Sequence, residues 1–100
     1  MIKHIVMWRL KNDYENHDKR TTSFLLKEEL ESMIGRIDGL NSLTVGLNVN
    51  TSPFAFDLVL ITEHPTLRDL EFYQEHPLHQ AVGALVKAAT TEKVVVDCAY

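Results

Sequence analysis

The sequence predicts an α+β fold: a four-stranded antiparallel sheet with helices on one face and a second copy of the chain on the other. Three observations carry this. Four segments place side chains with a period of two, and two intervening stretches repeat their apolar residues at helical spacing. The strands are also apolar on both faces, which a sheet with one wet face does not need. With 100 residues there is room for one domain, residues 1–100, because a second core would require more chain.

Ile2 to Leu10 alternates, with Ile2, His4, Val6, Trp8 and Leu10 on one face and Lys3, Ile5, Met7 and Arg9 on the other, as a strand requires. The polar run Lys11 to Asp18 reads as a loop, and Lys19-Arg20 as a solvated helix start. Leu26, Leu30, Met33, Ile34 and Ile37 then recur at helical spacing while Lys27, Glu28, Glu29 and Glu31 turn outward, predicting a first helix that ends near Gly35 to Gly39. Leu43, Val45, Leu47 and Val49 alternate with polar or small residues as a second strand. A turn through Asn50-Thr51-Ser52-Pro53 leads into a third over Phe54 to Glu63, so the two form a hairpin.

Thr66 and Asp69 resemble a capping box at the start of a short helix through Leu67, Leu70 and Tyr73. Pro77 suits the first position of another helix, whose Leu78, Val82, Leu85, Val86 and Ala89 form its apolar stripe. Lys93 to Tyr100 closes the chain as a fourth strand. The order is βαββαβ with the second helix split at His76-Pro77, which is the ferredoxin-like pattern.

Ile5 and Met7 in the first strand, Val59 and Ile61 in the third, and Val94 and Val96 in the last lie on the face opposite the helices. Exposing such residues forgoes about 1.5–3 kcal/mol each and presents a contiguous apolar patch. One self-complementary surface shared by two identical subunits covers both patches at once, so a homodimer through the helix-free sheet face, a dimeric α/β barrel, is expected.

Charge and composition narrow the classes of function. A hydrophobic content of 45% with 24% charged residues is that of a folded globular chain. The net charge of −4 and the lack of a Lys or Arg run give no footprint for nucleic acid or anionic lipid. Met1-Ile2-Lys3-His4-Ile5-Val6 lacks the layout of a secretory signal, no run of 18 apolar residues occurs, and Cys98 has no internal partner, so a cytoplasmic protein is expected. No Gly-rich phosphate loop and no Ser nucleophile elbow occurs. His76 and His79 stand i, i+3 without an assignable third ligand, so neither a metal nor a cofactor is expected.

Chemistry concentrates in Tyr73-Gln74-Glu75-His76-Pro77-Leu78-His79, where one tyrosine and two histidines fall at a helix break; His4 shares the face of Val6 and Trp8. A histidine near its ordinary pKa of about 6.5 exchanges protons at neutral pH, and a phenol can donate to a developing oxyanion, which together suit enolisation or aldol chemistry. Each residue also has a structural reading. His76 can cap the helix that Pro77 opens, Tyr73 has the spacing of a core residue, and His4 and His79 can be packed or solvated.

Met1 to Trp8, Asp57-Leu58-Val59-Leu60, Tyr73 to His79 and Lys93-Val94-Val95-Val96-Asp97 together resemble the stress-responsive dimeric α/β-barrel (Dabb) family across essentially the whole chain. The resemblance implies a homodimeric barrel. Most members are named for stress association, while a plant relative, olivetolic acid cyclase, carries out an aldol cyclisation of a polyketide. Carried over residue by residue, it implies that Tyr73 polarises a carbonyl, His79 acts as general base, and His4 and His76 fall on matching positions. Trp8 departs from the cyclase-like pattern, which has a smaller aliphatic side chain there, and an indole takes space from a ligand.

Three functions follow as expectations. The first is a pocket for a small apolar ligand between sheet and helices, lined by His4, Val6, Trp8, Tyr73 and His79, with His76 nearby. The second is an enzyme using Tyr73, His79 and His4. The third is a structural, stress-protective protein whose histidines only support the fold.

Overall fold

The computed structural model describes all residues, Met1–Tyr100. Strand β1 (Ile2–Leu10) is followed by a two-residue pair, β2 (Asp13–Tyr14) and β3 (His17–Asp18), and by helix α1 (Lys19–Glu31). Then come β4 (Ser42–Leu47), β5 (Leu58–His64), α2 (Leu67–Glu75), α3 (Pro77–Ala89) and β6 (Thr90–Ala99). The main sheet runs β4-β5-β1-β6 with every pairing antiparallel, the ferredoxin-like arrangement.

Register sorts the strands into two faces. Val6 lies opposite both Leu60 and Val95, and Leu60 opposite Val45, so these side chains share the face of His4 and Trp8. The three helices pack on that face, where Leu26, Leu30, Leu70, Tyr73, Val82 and Val86 join Val6, Trp8, Leu58 and Leu60 in one core. The opposite face carries Ile5, Met7, Val59, Ile61, Val94 and Val96 as paired neighbours. Met7, Val94 and Val96 remain exposed within the subunit.

Local chemistry explains most element ends. Asp18 caps α1 by accepting from the Thr21 amide at 2.8 Å. Asp57 joins three segments, accepting from the Leu10 amide at 2.8 Å and from Lys19 Nζ at 3.2 Å. Thr66 caps α2 through the Asp69 amide, and its hydroxyl donates to the Asp69 carboxylate at 2.7 Å. Proline forces the residue before it into extended backbone, so His76 (φ −62, ψ 136) ends α2 and caps α3, its Nδ1 accepting from the Leu78 amide at 3.1 Å.

Several expectations are corrected. Lys11 to Asp18 is a small hairpin turning through Glu15 and Asn16, both at positive φ. Helix α1 stops at Ser32, short of the glycines, because the chain tightens into i→i+3 bonds from Met33 to Leu30 and from Ile34 to Glu31. Met33 and Ile37 are still buried, but from turns, and Ile34 is 53% exposed. Leu67 and Leu85 stand off the core because Leu70 and Tyr73 in α2, and Val82, Val86 and Ala89 in α3, occupy the inner faces. The third strand starts at Leu58, leaving Phe54 in the preceding connection, and extends to His64.

Candidate functional site

A cavity of about 520 Å³ lies between the sheet and the helices. His4, Val6 and Trp8 of β1 and Leu60 of β5 form its sheet wall. Tyr73 of α2, His79, Val82, Gly83 and Val86 of α3, and Leu30 and Met33 from α1 and the turn after it face them; Lys87, Thr90 to Glu92 and Lys93 complete the lining. The size suits a small organic molecule. Trp8 is 6% exposed and serves as wall, so the indole narrows the space without abolishing it.

Of the six site residues expected from sequence, His4, Val6, Trp8, Tyr73 and His79 line this cavity. His76 lies outside this lining: its Nδ1 is committed to the Leu78 amide and its ring packs edge-on against Phe72 at 6.0 Å. Pro77 removes an amide and forces extended backbone, so the residue before it is taken by capping.

Tyr73 stands at the centre of the polar groups. Its ring centroid lies 4.6 Å from that of His79, 4.9 Å from His64 and 6.3 Å from His4. The side chain is fully buried, and burial pushes the phenol's pKa up, so it stays protonated and offers a donor. Its hydroxyl has no hydrogen-bond partner in the subunit, whereas the His79 ring lies beside the Gln74 backbone. Burial, ahead of the neighbouring His4 and Lys93 charges, lowers the His79 pKa below 6.5 and keeps the imidazole neutral at pH 7, able to accept a proton.

His4 is oriented from the last strand. It faces Asp97 across the β1–β6 pair, and its Nδ1 is hydrogen-bonded to the Asp97 carboxylate. A carboxylate only accepts, so Nδ1 carries the hydrogen and a neutral His4 keeps Nε2 as acceptor. His64, read as a loop residue from sequence, is instead completely buried at the end of β5. Its Nδ1 donates to the Gly39 carbonyl at 2.9 Å, which leaves Nε2 to accept from the Thr62 hydroxyl, also at 2.9 Å. Burial lowers its pKa as well, so it packs against Tyr73 as a neutral ring.

Asp97 and His64 are the site residues that sequence reasoning missed. Each has a signal in the alternation: Asp97 shares its face with Val95, and His64 follows Leu58, Leu60 and Thr62 on the inner face of β5. A hydroxyl donor, two ring nitrogens able to accept and a carboxylate behind one of them, over apolar walls, form a set suited to holding a carbonyl compound and moving a proton on it.

Comparison with known proteins agrees with this architecture. The model of the stress responsive A/B barrel domain matches residues 2–99. The chain belongs to that family. An uncharacterized protein of Streptomyces coelicolor is 28% identical over 91 residues, covering 91% of this chain and 92% of its own length. A dimeric protein of unknown function with a ferredoxin-like fold, from Bacteroides fragilis, superposes with a TM-score of 0.86 at 29% identity, over 99% of this chain and 95% of that one. A hydroxynitrile lyase from Passiflora edulis has the same fold, with a TM-score of 0.73 at 13% identity over 97% of this chain and 90% of its own.

Proposed function

We propose that this protein is a homodimeric stress-response barrel that binds a small, largely apolar molecule in the cavity beside Tyr73, with a carbonyl or hydroxyl group of the ligand meeting the buried polar atoms. The observation that carries this reading is the convergence of His4, Tyr73 and His79 on the wall of a cavity of about 520 Å³ whose other inner walls are apolar. Buried polar atoms are normally paired, so the unpaired Tyr73 hydroxyl on a residue that lines a cavity is a group a ligand can satisfy. The two subunits would meet through Ile5, Met7, Val59, Ile61, Val94 and Val96, consistent with the dimers formed by proteins of this fold. A single unpaired Cys98 fits work in the reducing cytoplasm.

Trp8 is the chain's one tryptophan and lines the cavity, so it reports occupancy. A graded series of aliphatic and aromatic ketones should give a saturable change in its fluorescence. Gly83→Phe should abolish that change, because Gly83 lines the cavity and a Cβ there meets nothing within 4 Å, which leaves the ring to fill ligand space. No saturable response across the series would end the binding reading.

The His4–Asp97 pair favours a second reading, catalysis by proton transfer next to a carbonyl. In it, Tyr73 donates to the carbonyl oxygen, His79 takes the neighbouring proton and the His4–Asp97 pair orients the ligand. A hydroxynitrile lyase of the same fold shows that the scaffold accommodates an enzyme, though fold alone names no reaction. Protein-dependent exchange of a bound ketone's α-protons with deuterated water, lost in His79→Gln, is the expected result. Exchange no faster than in buffer would leave binding without catalysis.

A further inference from the structure

The charges around the cavity are unevenly committed. Of its acidic neighbours, Glu92 is paired with Arg9 (3.3 Å) and Asp97 with His4. Lys87, in the last turn of α3, and Lys93, on β6 opposite Trp8, both line the cavity and take part in none of the subunit's ion pairs. Both are exposed, so they mark the side of the cavity that opens to solvent. The chain as a whole carries −4, which makes an unneutralised cationic rim the more selective feature.

Lys87 has an ordinary role as well, complementing the negative end of the α3 dipole. Two carbonyls of that end are already occupied, Lys87 O by the Thr90 amide and Ala89 O by the Lys11 amide, so they offer an incoming anion little repulsion. Lys93 has no such role. It stands on the strand, close enough for its charge to act on His79. Deeper in, the surroundings turn apolar and burial disfavours charge on His79, so a charge is favoured at the rim and disfavoured inside.

Building on the binding reading above, we propose that the cavity takes an amphipathic carboxylate, with its apolar body among Val6, Trp8, Val82 and Val86 and its carboxylate at the rim between Lys93 and Lys87. The arrangement fixes polarity of entry: the charged end stays in contact with water and the uncharged end reaches Tyr73. An uncharged ligand of the same length gains nothing from the rim. Sodium chloride therefore weakens the acid and leaves the neutral compound unaffected, since partly exposed pairs are screened.

Titration of the whole protein with octanoate, methyl octanoate and 1-octanol, read by Trp8 fluorescence, tests the proposal. Octanoate should bind about fivefold more tightly than the ester, as expected for two partly exposed ion pairs. The double substitution Lys87→Gln, Lys93→Gln should erase that preference while leaving the ester's affinity unchanged; both side chains lie outside the core, and an unchanged far-UV spectrum would verify the fold. If the ester and the alcohol bind as tightly as octanoate, the carboxylate assignment fails and the pocket stands. A preference for octanoate that survives the double substitution also overturns it. If none of the three binds and the ketones above are silent too, the pocket reading falls with it.

Discussion

Replacing Tyr73 with phenylalanine separates a residue kept for a ligand from one kept for the fold. A buried tyrosine whose hydroxyl is hydrogen-bonded within the protein typically loses about 0.5–1.5 kcal/mol on removal of that oxygen. Tyr73 is fully buried and its hydroxyl has no partner in the subunit, so the folded state has no such bond to lose. Burying an unsatisfied hydroxyl instead costs about 1–3 kcal/mol. Tyr73→Phe should therefore leave stability unchanged or raise it by up to about 2 kcal/mol, and a gain of 1 kcal/mol moves the melting temperature of a 100-residue domain up by about 4–8 °C. The assay is urea denaturation at pH 7.5 beside a thermal scan, with ketone affinity measured on the same samples. Affinity should fall as stability holds or rises, the usual relation at a binding site. A loss of more than about 0.5 kcal/mol would show that the hydroxyl is structural and would refute the reasoning.

Gly83→Ala should stabilise the protein by about 0.5–1 kcal/mol, because Gly83 lies within α3 and a Cβ there meets nothing within 4 Å; destabilisation in a thermal melt would contradict this. His64 and His79 hold their pKa values below 6.5, so the unfolded chain binds protons that the folded chain refuses. Stability should be level above about pH 6.5 and fall as pH drops below it, by at most about 1.4 kcal/mol per pH unit for each ring. Urea midpoints that stay flat between pH 7.5 and 5.5 would contradict it. Ile61→Lys places a charge at the centre of the helix-free face, twice in a two-fold interface, and should turn a dimer into a monomer by sedimentation; a variant that remains dimeric would remove that face as the interface.

Much of the fold is legible because its determinants are local. The inner face of β1, with His4, Val6, Trp8 and Leu10 buried, follows from alternation alone, and the break at His76-Pro77 follows from proline's missing amide and the backbone it imposes on its neighbour. The end of α1 was less legible. Met33 and Ile37 keep helical spacing and are buried, yet they sit in turns, because periodicity records which side chains face the core and does not specify the hydrogen bonds between them.

The sequence by itself determined the element order, the sidedness of each strand and the apolar character of both sheet faces, since these depend on neighbours within a few positions. Only the tertiary structure decided that Asp97 backs His4 from 93 residues away, that His64 joins Tyr73 and His79, and that a cavity remains beside Trp8. Strand pairing brings distant residues into register, and a cavity is the volume left when side chains from α1, α3, β1 and β6 are packed together. Neither quantity belongs to any one stretch of chain.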